Sequence, residues 1–151
     1  MFDFSRKIVC SIEAVLLIAL AGEGSPVRSR TITRRQNIPD RYLEQPLQRL
    51  VHCGILRGVR GPRGGYVLAR PAEHIRLDEI VSSVRGLDGG PERAALASLS
   101  PLGDDVVRPL FERLDEEVLA ELSRISIADL VRQVQDRSAP AAPRRHGLVL
   151  A

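Results

Sequence analysis

Apolar residues recur at helical spacing over most of this chain and at strand spacing in one short region. Ile8, Ile12, Val15, Leu16 and Ala19 step by threes and fours through residues 6–22, predicting a helix for which Gly22 is a natural stop. Glu23-Gly24-Ser25-Pro26 is a turn cluster. Ser29 is placed to cap a short helix, Arg30–Gln36, with Ile32 facing inward, and Asn37 can take the left-handed conformation that ends it. After Ile38-Pro39, Asp40 can cap a third helix running through His52 to a stop at Gly54, with Leu43, Leu47 and Leu50 as its apolar stripe. Pro46 lies inside that helix, where the missing N–H predicts a bend.

Ile55–Arg60 and Tyr66–Ala69 have strand length and are joined by Gly61-Pro62-Arg63-Gly64-Gly65. Arg70-Pro71-Ala72 closes this hairpin. Leu77, Ile80, Val81 and Val84 give a helix over Leu77–Arg85, stopped by Gly86. Residues 87–103 read as a loop, with room for a turn of helix at 92–99. A long helix spans about Asp104–Leu122, in which Val107, Phe111, Leu114, Val118 and Leu122 form a near coiled-coil seam widened by Leu110 and Leu119. Ser126-Ile127-Ala128-Asp129 has the form of a capping box opening a last helix to about Gln135, and the Ala-Pro tail 138–151 has a disordered composition. The fold class is therefore mainly α with a small β-hairpin: a winged helix-turn-helix over residues 1–86, a loop over 87–103, dimerisation helices over 104–137 and the tail.

Length and charge sharpen this picture. A chain of 151 residues is one domain, or a small domain with an oligomerising extension. Its net charge of +3 conceals a division. Residues 1–70 hold 12 Lys/Arg against 5 Asp/Glu, net +7, and residues 71–137 hold 8 against 14, net −6. Such asymmetry suits a nucleic-acid face on one part and a solvated scaffold on the other. The apolar run Ile12–Ala21 contains Glu13 and is short of the roughly 20 residues a membrane helix needs. No cleavable leader pattern follows it, so the expected compartment is the cytoplasm, with no membrane partner.

The candidate DNA contacts fall in three places. Arg28, Arg30, Arg34 and Arg35 sit on or just before the second helix and suit phosphate clamping. Arg41, Tyr42, Glu44, Gln45 and Gln48 occupy early or outward positions of the third. Arginine and glutamine can make bidentate contacts to guanine and adenine edges, and tyrosine can donate to phosphate. Glu44 either accepts from a cytosine amino group or repels the wrong site. Arg60 and Arg63 flank a glycine-rich tip able to approach a phosphate backbone or a narrow minor groove. Each of these charges also has a plainer reading as a solvated surface.

The two cysteines, Cys10 and Cys53, lack metal-type spacing and are expected to be buried structural thiols, a redox switch being the alternative. His52 beside Cys53 makes no convincing metal pair, and His74 and His146 lie in loop or tail. No arrangement of nucleophile and base, no phosphate loop and no carboxylate pair suggests an enzyme.

Taken together, Ser5-Arg6-Lys7, Tyr42-Leu43-Glu44-Gln45, Gly54-Ile55-Leu56, the run Val59–Arg70 and Ile125–Leu130 resemble the IscR/NsrR/RirA-type regulators of bacteria, the Rrf2 family, over about residues 4–136. The resemblance implies a homodimeric winged-helix transcription factor whose long helix crosses to the partner subunit. It places Tyr42, Glu44, Gln45 and Arg60 at DNA-reading positions. One departure bears on cofactors: many members carry three cluster-ligating cysteines between the fourth helix and the long one, and here Leu87–Asp105 contains none. The resemblance therefore points to a branch without an iron–sulfur cluster. The expected function is a sequence-specific DNA-binding repressor, dimeric on a palindromic duplex operator and answering an unidentified signalling ligand or protein. The alternatives are a winged-helix protein-interaction module and a thiol-based redox regulator using Cys10 and Cys53.

Overall fold

The computed structural model describes residues 5–87 and 100–139. Most of the expected loop 87–103, with its turn at 92–99, and most of the tail 138–151 lie outside them. Six α-helices and one antiparallel hairpin make up the described fold: α1 Arg6–Leu20, α2 Ser29–Gln36, α3 Glu44–His52, β1 Leu56–Val59, β2 Gly65–Leu68, α4 Leu77–Val84, α5 Arg108–Leu122 and α6 Ile127–Ser138. Short 3-10 turns at Asp40–Leu43 and Ala72–His74, and a π turn at Gly103–Val107, complete it. Among the described residues no helix is long and apolar enough to cross a membrane.

The core is built from the inward faces of α1, α3 and α4. Ile8, Ala14, Val15 and Ile18 of α1 meet Leu43, Leu47, Leu50, Ile80 and Val81, all buried. Burial of each large aliphatic contributes roughly 1.5–3 kcal/mol. The stripe on α1 lies beside the expected one: Ile12 and Leu16 are only half-buried, and Ser11 is buried instead, its hydroxyl donating to the Lys7 carbonyl at 2.6 Å. Because α1 is apolar on nearly every side, with Val9 52% exposed, spacing alone cannot choose its inner face.

Helix boundaries follow local chemistry. Ser5 caps α1 by accepting from the Ile8 N–H. Ser29 does not cap α2; it is the first helical residue, and Arg28 occupies the cap position without a side-chain capping bond to the helix. Asn37 ends α2 in the left-handed conformation, at φ 52°. The expected third helix is divided into a 3-10 turn and α3, so Pro46 falls in the first turn of α3. There a backbone N–H has no partner within the helix, and the expected bend is replaced by the change of helix type. A second proline acts similarly further on. Pro109 near the start of α5 crowds the preceding turn, which widens so that the Arg108 N–H donates to the Gly103 carbonyl five residues back. At the far end, α6 runs to Ser138, three residues beyond the expected stop, because Pro140 forces Ala139 out of the helical region.

β1 and β2 pair from Leu56 with Leu68 to Val59 with Gly65. The free edge of β2 is taken by Val27, which exchanges backbone hydrogen bonds of 3.0 and 2.8 Å with Tyr66. The hairpin is thus fastened to the segment leading into α2. Arg70 fixes its base by donating to the carbonyls of Gly54 and His74 and to Glu79 at 3.0 Å.

The C-terminal helices return to this core. Arg76 and Ser126 form an antiparallel bridge, in which Leu77 donates to the Ile125 carbonyl and Ile127 to the Ile75 carbonyl. Ser126 and Asp129 make the expected capping box, and Ile127 is wholly buried. Asp115 of α5 pairs with Arg85 at the end of α4, while Leu119 and Leu122 pack on the core. Leu122 is therefore half-buried against the chain's own core rather than presented at the end of an open seam. Further up, Leu102, Val106, Val107, Leu110, Phe111 and Leu114 remain exposed, Leu102 at 71% and Phe111 at 42%.

Candidate nucleic-acid interface

α2 and α3 are held at their angle by a polar hinge. The buried Thr33 hydroxyl donates to Asp40 at 2.6 Å, and Arg30 stands 3.4 Å from the same carboxylate. Asp40 was expected to cap the third helix; instead it accepts from α2 across the turn, since the 3-10 segment begins at its own position. Arg30, read as a phosphate clamp, is engaged by Asp40.

Leu43, Pro46, Leu47 and Leu50 face the core, which leaves Arg41, Glu44, Gln45 and Gln48 exposed on the opposite face. Their spacing of three and four residues makes them neighbours along one side. Arg49, which sequence reasoning passed over, is also exposed and follows Gln45 by one turn. Tyr42 is half-buried against the core, and the Lys7 ammonium lies 5.4 Å from its ring centroid. Its ring is thus engaged structurally.

The wing closes by a turn in which the Gly64 N–H donates to the Gly61 carbonyl at 2.9 Å. A Cβ at Gly64 would sit 2.2 Å from the Val59 carbonyl oxygen. Glycine is required there by the hairpin's own backbone, whereas the sequence suggested free approach to a ligand. At Gly65, φ is 155°, and a Cβ would meet the Val27 carbonyl oxygen at 2.5 Å, so the bridge to Val27 depends on its absence.

Arg28 donates to the Pro62 carbonyl at the wing tip, joining the approach to α2 with the hairpin. Beside that bond an open cleft of about 410 Å3 is lined by Pro26, Val27, Arg28, Thr31, Arg63 and Gly64. The arginines in it were expected; Thr31 and Val27 carry no charge and were not singled out. Among the described residues Arg34, Arg35, Arg41, Arg60 and Arg63 are exposed, and their guanidinium groups have no ion-pair or hydrogen-bond partner. Uncompensated guanidinium groups on α2, the turn before α3 and the wing, with Arg63 in the cleft itself, favour an anionic partner.

The thiols differ in setting. Cys10 is 5% exposed, and burial pushes its pKa up against the opposing pull of Arg6, which disfavours the reactive thiolate. Cys53 is exposed, contrary to the expected burial, because it caps the end of α3 at the turn into Gly54, outside the core.

A family model described as "Rrf2: Iron-dependent Transcriptional regulator" matches residues 4–133. The chain is 36% identical over 115 residues to the HTH-type transcriptional regulator IscR of Cereibacter sphaeroides, covering 74% of each. In fold it is similar to IscR of T. potens, with a TM-score of 0.72 at 24% identity over 93% of this chain and 94% of that one. It is also similar to CymR, the global cysteine regulator of B. subtilis, with a TM-score of 0.67 at 24% identity over 88% and 98%.

Proposed function

The chain belongs to the Rrf2 family of transcriptional regulators, and we propose that it is a cytoplasmic homodimeric repressor that reads two half-sites of a palindromic operator. α3 enters the major groove with Gln45 and Gln48 toward base edges, while Arg60 and Arg63 of the wing and Arg34 and Arg41 hold the flanking phosphates. The observation that carries this reading is the set of exposed guanidinium groups on α2, the turn before α3 and the wing (Arg34, Arg41, Arg60 and Arg63), none with a side-chain partner among the described residues. The repressing effect follows from occupancy: a dimer across a promoter blocks access to it.

The family description speaks of iron. A cluster held mainly by thiolates takes about three or four cysteine ligands. This chain has two cysteines, one buried in α1 and the other exposed at the end of α3. Among the described residues no group of three or more His, Cys, Asp or Glu could hold a metal ion. The donor set does not fit such a cluster, and we assign regulation to another signal. Iron and acid-labile sulfide at stoichiometric levels in anaerobically purified protein would overturn this assignment.

The function is tested by selecting bound duplexes from a random pool and titrating the best by fluorescence anisotropy at several salt concentrations. Affinity is expected to fall with a log–log slope of about −0.9 for each phosphate neutralised. Arg60→Ala and Arg63→Ala are each expected to lower that slope by about one with little change in sequence preference. Absence of any sequence preference, or salt-insensitive binding, would point to a protein-docking module instead.

A further inference from the structure

The DNA-facing cleft shares a wall with a second cavity that the proposed contacts to DNA do not use. Between the end of α1 and the outer side of α2 lies a hollow of about 230 Å3, lined by Leu17, Leu20, Ala21, Val27, Thr31, Ile32 and Arg35. The side chains that line it are hydrocarbon except for those of Thr31 and Arg35. Arg35 is exposed and has no partner among the described residues. An apolar chamber with one unpaired cation at its edge is complementary to a small molecule with an apolar body and one carboxylate. The volume sets the size. It falls below the roughly 300–1,000 Å3 of pockets for drug-sized ligands, so the occupant is no larger than a short-chain fatty acid or a small aryl acid.

Val27 and Thr31 line both this cavity and the cleft on the other side. Val27 is also the residue that pairs with Tyr66 of the wing. Filling one chamber therefore bears on the shape of the other through two side chains and a backbone bridge. A bound carboxylate would also neutralise a cation on α2.

We propose that the α1–α2 cavity is an effector site for a small amphipathic monocarboxylate, and that its occupation weakens DNA binding through Arg35 and the Val27–Thr31 wall. The regulatory half rests on the DNA-binding function proposed above; the binding half does not. Affinity in the micromolar to millimolar range is expected for a ligand of this size.

Binding is measured on the full chain without DNA, by titrating isotope-labelled protein with hexanoate and, in parallel, hexan-1-ol. Saturable amide shifts at Leu17, Leu20, Ala21, Val27 and Thr31 are expected with hexanoate, and weaker ones with the alcohol. Arg35→Gln is expected to weaken hexanoate binding roughly tenfold or more, as for loss of a charge-assisted hydrogen bond. Leu20→Trp enlarges a side chain that lines the cavity and is expected to abolish the shifts. Saturating hexanoate is expected to weaken anisotropy-measured operator binding roughly fivefold or more in the wild type and to have no effect on Leu20→Trp. No saturable shift, shifts confined to another surface, or equal affinity for hexan-1-ol would overturn the site. Binding with unchanged operator affinity would overturn the coupling. A protein that selects no DNA yet binds hexanoate as described would sink the DNA-binding proposal and leave the site standing.

Discussion

Gly64 and Gly58 occupy the same hairpin under opposite constraints. At Gly58 an added Cβ would have nothing within 4 Å, while at Gly64 it would meet backbone oxygens at 2.2 and 2.9 Å that no rotamer change can relieve. Gly64→Ala is expected to destabilise the protein by about 1–3 kcal/mol, as overpacking of a tight site does, and Gly58→Ala by no more than about 0.5 kcal/mol. Urea denaturation of the two variants checks this, and equal effects would show that the wing tip tolerates opening. The wing was legible in sequence because glycine and arginine at a turn act locally, through backbone freedom and charge. Arg28 was legible as a charge but not as a tether, since its acceptor, the Pro62 carbonyl, lies 34 residues away. The same holds for Val27, whose partner Tyr66 is set by tertiary pairing, and for Cys53, whose exposure depends on where α3 meets the core.

Among the elements, those whose apolar face is unambiguous were placed well from sequence. α4 has one apolar side, and Leu77, Ile80, Val81 and Val84 are all buried as expected. α1 has too many apolar residues for periodicity to select among them, so its buried stripe was set by neighbouring helices. Proline effects depended on register: once the 3-10 turn is counted, Pro46 belongs to a first turn, and Pro109 is accommodated by a π turn. The link between α2 and α3 carries a prediction of its own. Asp40→Ala removes the acceptor of the buried Thr33 hydroxyl and frees Arg30. Thr33 retains a 3.3 Å contact to the Arg30 carbonyl, and Asp40 is half exposed, so the expected loss is about 1 kcal/mol. DNA affinity is expected to fall more than that stability change alone would cause, because the angle of α3 is then set only by packing. Urea denaturation and anisotropy on the same variant separate the two effects; undiminished affinity would mean that packing alone fixes the angle.

At the scale of the whole molecule, α4 and α6 begin side by side, and each start is closed by a carboxylate. Burial acts to raise the Glu79 pKa, but the Arg76 N–H at 2.9 Å and the Arg70 guanidinium at 3.0 Å outweigh it and hold it below the usual range. Hydrogen bonds from Ser126, its backbone N–H first, do the same for Asp129. Both groups bind protons more weakly folded than unfolded, so their contribution is complete above the ordinary carboxylate range, near pH 4, and is lost as pH falls through the folded values. Thermal melts are expected to be flat from neutral to mildly acidic pH and to drop below it. The Glu79→Gln, Asp129→Asn double variant is expected to melt lower at neutral pH with a shallower acid slope; an unchanged slope would place the acid sensitivity elsewhere. The remaining question for the molecule is what covers the upper half of α5. Val106, Val107, Leu110, Phe111 and Leu114 form a contiguous apolar side larger than scattered surface residues require, and a second copy related by a two-fold axis would bury it against itself. Phe111→Glu places a charge at the centre of that surface without touching the protomer's own core. It is expected to raise the dimer dissociation constant about 30-fold or more, as for an aromatic hot spot worth ~2 kcal/mol. Helicity by circular dichroism should be retained, and operator affinity should fall with the loss of the paired half-site. Sedimentation equilibrium decides the matter: a variant that stays dimeric at the wild-type concentration would move the interface off α5, and with it the two-fold arrangement of the recognition helices.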